Sequence, residues 1–119
     1  MKKVFIFVML LLFASVIYSQ TVVTGNQSGV WATSGSPYLV TGDVTVAHGE
    51  TLTIEAGVVV RFQGHFKLTV NGKLIAQGTE ADTVYFTTND PSTGWHGIRL
   101  DETEGVSEFH YCRIEYGKT

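Results

Sequence analysis

Asp101, Glu102 and Glu104 fall within one four-residue stretch, and Arg99 lies two positions upstream. Clustered carboxylates with a cationic side chain are what a calcium-assisted polysaccharide lyase uses, since calcium takes 6 to 8 oxygen ligands, several of them from Asp or Glu. The same composition suits a solvated acidic loop between strands, and that is the expectation here. The Gly-rich nonapeptide calcium pattern, phosphate-cradling loops and zinc-ligand spacings are all missing from the sequence. No catalytic, cofactor-binding or metal-binding residue is therefore assigned, and no cofactor is expected.

Two other residue types can do chemistry. His48, His65, His96 and His110 are scattered along the chain. Stacked repeats would bring His48 and His96 no closer than roughly 10 Å, two strand spacings, so these are expected as surface or turn histidines. Trp95, Tyr85 and Arg99 form a candidate carbohydrate contact. An aromatic on a flat face stacks on a sugar ring, while Arg99 and Thr87 bond its hydroxyls. Gly94 and Gly97 beside Trp95 equally suit a ring folded over the edge of a core, and packing is the favoured role. Cys112, the single cysteine, rules out an intrachain disulfide and is expected as a small buried hydrophobe.

The elements that must carry these side chains show a recurring apolar alternation. Leu52 and Ile54 return as Leu74 and Ala76, then as Ile98 and Leu100. Val60 and Phe62 return as Val84 and Phe86, then as Phe109 and Tyr111. Val44 and Val46 return as Leu68 and Val70. The offset is nearly constant at roughly two dozen positions, and three short strands per period predict an all-β parallel solenoid of three to four circuits. Glycines at Gly49, Gly57, Gly64, Gly72 and Gly78 are expected to turn the corners through φ > 0 conformations. Asn71-Gly72 between two strands is a hairpin signal favouring an antiparallel sandwich, but a hairpin fold gives no reason for a constant offset. In Cys112–Tyr116 the alternation slips phase, which places a corner between Tyr111 and Cys112.

Lys2 and Lys3, the apolar run Val4–Phe13 and the small or polar residues Ala14, Ser15, Ser19 and Gln20 have the layout of a signal peptide over residues 1–19, cleaved after Ser19. Residues 20–37 are poorly patterned and are expected to cap the first circuit; residues 38–119 hold the repeats. No capping pattern closes the other end, so the repeats are expected to continue beyond Thr119. The chain has 8 basic and 11 acidic side chains; without the two leader lysines the balance is 6 to 11. An acidic exported domain is a poor partner for nucleic acid or for an anionic membrane surface.

Residues 38–117 resemble the right-handed parallel β-helix repeats of exported bacterial proteins, the pectate-lyase-like architecture. The likeness rests on Gly42–Val46, Gly49–Phe62, Leu68–Leu74, Gly78-Thr79, Val84–Thr87, Gly94–Ile98 and Ser107–Gly117. Ala56 stands where such proteins commonly have proline. The signal segment, the repeated coils and the missing site point to an exported, non-catalytic structural or adhesive segment, and the resemblance implies the N-terminal part of a longer secreted or cell-surface protein. Its partners would be a polysaccharide or cell-surface glycan and further coils of the same chain. The alternatives are a carbohydrate-active enzyme with its site in later coils, or a carbohydrate-binding module. Fold likeness alone does not carry function across.

Overall fold

The computed structural model describes residues 20–101 and 105–118. The expected leader over residues 1–19 lies outside the described residues. Apart from one 3-10 turn at Thr33–Gly35, the regular structure is all β: β1 (Thr21–Asn26), β2 (Gly29–Trp31), β3 (Tyr38–Val46), β4 (Thr51–Ile54), β5 (Val59–Phe62), β6 (Lys67–Val70), β7 (Lys73–Gln77), β8 (Val84–Thr88), β9 (Gly97–Leu100), β10 (Glu108–His110) and β11 (Cys112–Ile114). Every strand pairing among the described residues is parallel. Parallel neighbours cannot be joined by a tight hairpin and need a long connection. Asn71-Gly72 accordingly turns the chain from one sheet, containing β6, into the other, containing β7.

The strands fall into three columns. In the first, β5, β8 and β11 follow the opening half of β3; in the second, β6 and β9 follow its closing half. Strand β3 carries both columns, β5 pairing with Tyr38–Val40 and β6 with Val44–Val46, so both belong to one curled seven-stranded sheet in which β1 also pairs with β3. The third column is a four-stranded sheet in the order β10-β7-β4-β2. The chain visits the three columns in rotation, an arrangement compatible with a solenoid-like β fold.

Burial follows the two-residue period of each strand. Val40, Val60, Phe62, Val44, Val46, Leu68, Val70, Leu52, Ile54, Leu74, Ala76, Val84 and Phe86 are all fully buried. Like side chains line up across strands, as in Val44–Leu68–Ile98 and Ile54–Ala76–Phe109. Each such Val, Leu or Phe contributes about 1.5–3 kcal/mol by leaving water. Thr88 is the buried polar side chain among the described residues, and its hydroxyl donates to the Phe62 carbonyl at 3.0 Å. Near β1, Trp31 stacks on Tyr38 with ring centres 4.8 Å apart, and the Tyr38 hydroxyl donates to the Ala32 carbonyl.

At the corners, side chains of one circuit hold backbone amides of an adjacent one. Asp43 accepts from Lys67 N–H at 3.0 Å, Ser36 from Val59 N–H at 2.9 Å and Ser107 from Leu74 N–H at 3.0 Å. These bonds satisfy donors that the strand ladders leave over.

Four sequence expectations need correction. Ile98 and Leu100 do not follow Leu74 and Ala76; they pair with Leu68 and Val70 in the second column. Phe109 pairs instead with Ala76, and Tyr111, at φ 48°, is the corner before β11. Val60 faces Phe86 and not Val84, a shift of two residues that preserves the inward set. The first two shifts share one cause: the segments around 89–96 and 101–107 lengthen the third circuit, so its offset exceeds those before it; the Val60 shift arises earlier, in the loop between β7 and β8. The glycines also divide. Gly49 and Gly57 have φ of 80°, whereas Gly72 and Gly78 are required by space. A Cβ at Gly72 would collide with the Ala47 and Glu50 carbonyl oxygens. Residues 20–37, expected as a cap, contain two strands. Each buries one apolar side chain, Val23 or Trp31, too few to show as an alternation.

Candidate functional site

The three residues considered for sugar contact lie in three different environments. Trp95 is fully buried, with its ring stacked on Phe62 at 4.1 Å and 16°. The indole N–H donates to the Glu115 carbonyl at 2.7 Å. Its backbone accepts from Lys118 N–H and donates to the Tyr116 carbonyl, so the residue ties the segment 115–118 to the preceding circuit. With no exposed ring face, Trp95 is a packing residue, not a stacking platform.

Tyr85 points outward from β8, 37% exposed. It stands between Val59 of β5 and Arg113 of β11 on the outer face of the first column. One residue pair further along, Thr87 lies beside Arg61, and its hydroxyl donates to a Glu115 carboxylate oxygen at 2.8 Å. Arg113 Nε donates to the other Glu115 oxygen at 3.0 Å. The result is a flat strip on which an aromatic ring adjoins a hydrogen-bonded Thr–Glu–Arg group.

Arg99 is on β9, in the second column, and does not share that strip. Its guanidinium lies 3.8 Å from Asp101, with both side chains well exposed, a geometry worth at most about 1 kcal/mol in solvent. Together with Lys67, His96, Gly97 and Ile98 it lines a shallow surface cavity of about 280 Å³. Of the acidic trio, Asp101 is engaged by Arg99, and Glu102 and Glu104 lie outside the described residues. No group of three or more His, Cys, Asp or Glu arranged to hold a metal occurs among the described residues.

The sequence comparison of His48 with His96 missed a closer pair. His65 and His96 have ring centres 5.1 Å apart, tilted by 41°. Both sit at the corner leading into the second column, one circuit apart, and the His96 amide donates to the Phe66 carbonyl at 2.8 Å. Their separation along the chain conceals the contact, because β7, β8 and the loop before β9 lie between the two strands they precede. Cys112 is half-buried against the core, with its thiol donating to the His110 carbonyl at 3.4 Å. Burial pushes its pKa up, which suppresses the thiolate.

No family model matches the chain, and no solved structure matches it. Protein bark beetle of Drosophila melanogaster is 37% identical over an alignment of 76 residues, which takes in 56% of this chain and 2% of the fly protein. The chain thus spans about 2% of the length of that relative.

Proposed function

We propose that this chain is a right-handed parallel β-helix segment serving as an exported, non-catalytic structural or adhesive module of a longer secreted or cell-surface protein. The observation that carries the reading is the in-register parallel stacking of three columns, which gives a rigid body with broad outer faces. Right-handedness is supported by the general rule that crossovers between parallel strands of one sheet take that hand in about 98% of cases. Export is supported by the basic, apolar and small-residue order of residues 1–19. The similarity to a small part of a far longer fly protein fits a sequence of this kind embedded in a large chain.

The test is expression of the full chain in a secreting host, followed by N-terminal sequencing and incubation of the product with a polysaccharide panel in calcium. A product starting at Gln20 that releases no fragments supports the proposal. Retention of the leader refutes export, and depolymerisation of any polysaccharide refutes the non-catalytic role.

A second reading, a carbohydrate-binding surface, is favoured by the exposed Tyr85 ring beside Arg113. On a glycan array, Tyr85→Ala would abolish retention while Trp95→Phe would leave it intact. Equal retention by wild type and Tyr85→Ala defeats this second reading.

A further inference from the structure

We infer that His65 and His96 together form a surface site for a divalent transition metal of the zinc or copper class. The two imidazoles are exposed and come from equivalent corners of adjacent circuits. Their ring-centre distance is 5.1 Å. With a zinc–nitrogen bond of about 2.0–2.1 Å, two imidazoles meeting at a tetrahedral metal have centres about 5 Å apart. The neighbouring strands supply this separation without distortion, because the spacing between paired strands is itself about 4.8 Å.

The surroundings select among metals. Lys67 and Arg99 line the cavity beside His96 and bring positive charge. Among the described residues, Asp101 lies against Arg99 and Asp43 accepts from the Lys67 amide, so these two carboxylates already have partners. Hard cations such as calcium and magnesium require several oxygens, and no group of three or more His, Cys, Asp or Glu placed to hold a metal occurs among the described residues. Neutral imidazole nitrogens suit zinc, copper and nickel. Two protein ligands leave coordination positions for water or for a donor from a second surface, so the site can bridge this face to another molecule.

The experiment is calorimetric titration of the untagged full chain with zinc chloride, then copper sulfate, in a non-coordinating buffer at about pH 7.5 and again at about pH 5.5, where protons compete for imidazole. The expected result is one saturable equivalent at the higher pH and weaker binding at the lower. His65→Gln and His96→Gln should each weaken binding by roughly tenfold or more, with the double variant no weaker than the poorer single one. Because both side chains are exposed, far-UV circular dichroism of the variants should match wild type. His48→Gln and His110→Gln should bind as wild type does. The proposal is overturned by an absence of saturation up to about 1 mM metal, by loss in only one of the two variants, or by loss in His110→Gln, whose ring lies 3.0 Å from Glu108.

Discussion

Replacing Trp95 by alanine should cost the fold about 4 kcal/mol, a figure set by burial, ring stacking and one hydrogen bond. The indole is fully buried, lies flat on Phe62 and donates to the Glu115 carbonyl. An aromatic side chain of this kind buries about 150–250 Å², which at about 25 cal/mol per Å² corresponds to about 4–6 kcal/mol. That figure is an upper bound, since an unfolded chain already hides part of its apolar surface. Large-to-small substitutions of buried Trp or Phe cost about 3–5 kcal/mol, within which the hydrogen bond accounts for about 1 kcal/mol. A domain of about 100 residues has roughly 5–15 kcal/mol to lose, so Trp95→Ala should be severely weakened. Trp95→Phe keeps a ring on Phe62 and gives up the donor and part of the volume, which should cost about 1–2 kcal/mol. Urea unfolding followed by far-UV circular dichroism reads both variants, and Trp31 remains as a fluorescent reporter. The reasoning fails if Trp95→Ala loses less than about 1 kcal/mol, or if Trp95→Phe is as damaging as the alanine.

Two further outcomes follow from the geometry. Gly72→Ala should destabilise by about 1–3 kcal/mol, because the new methyl group meets the backbone oxygens of Ala47 and Glu50 and no side chain can move aside; an unchanged urea midpoint would show that the corner relaxes. Asp90 accepts from the hydroxyls and amides of Ser92 and Thr93, which lower its pKa to about 2 from a usual 3.8. A folded-state pKa below the unfolded one means that its contribution is complete above about pH 4 and fades as the pH falls toward 2. Carboxyl-carbon NMR of the full chain should find that low midpoint, and Thr93→Ala should raise it. A midpoint near 3.8 in the wild type would remove the loop bonds from the account.

How far the chain could be read from its residues depended on loop length. Leu52 and Leu74, and Val44 and Leu68, were aligned correctly because the connections between those strands are short and nearly equal. The third circuit defeated the same method. Its longer loops moved Ile98 into the second column and Phe109 into the third, while every alternating side chain still read as apolar. Trp95 was legible as a packed ring from the glycines beside it. Its partner Phe62 was not, since the two stand more than a full circuit apart along the chain. Tyr85 and Arg99 are near neighbours in sequence, yet the corner between β8 and β9 sends them to different faces. The His65–His96 contact was hidden for a related reason: adjacency across circuits is visible only once the register is known.

The unequal circuits also carry an evolutionary consequence. Backbone pairing and interior columns constrain only where a strand lands, so insertions between strands are tolerated wherever the chain regains its register, as it does at Gly97 opposite Lys67. Each added residue of loop costs little closure entropy, while a misplaced strand residue turns its apolar side outward. New recognition chemistry can therefore accumulate at the corners of such a chain by simple lengthening, without renegotiating the interior beneath it.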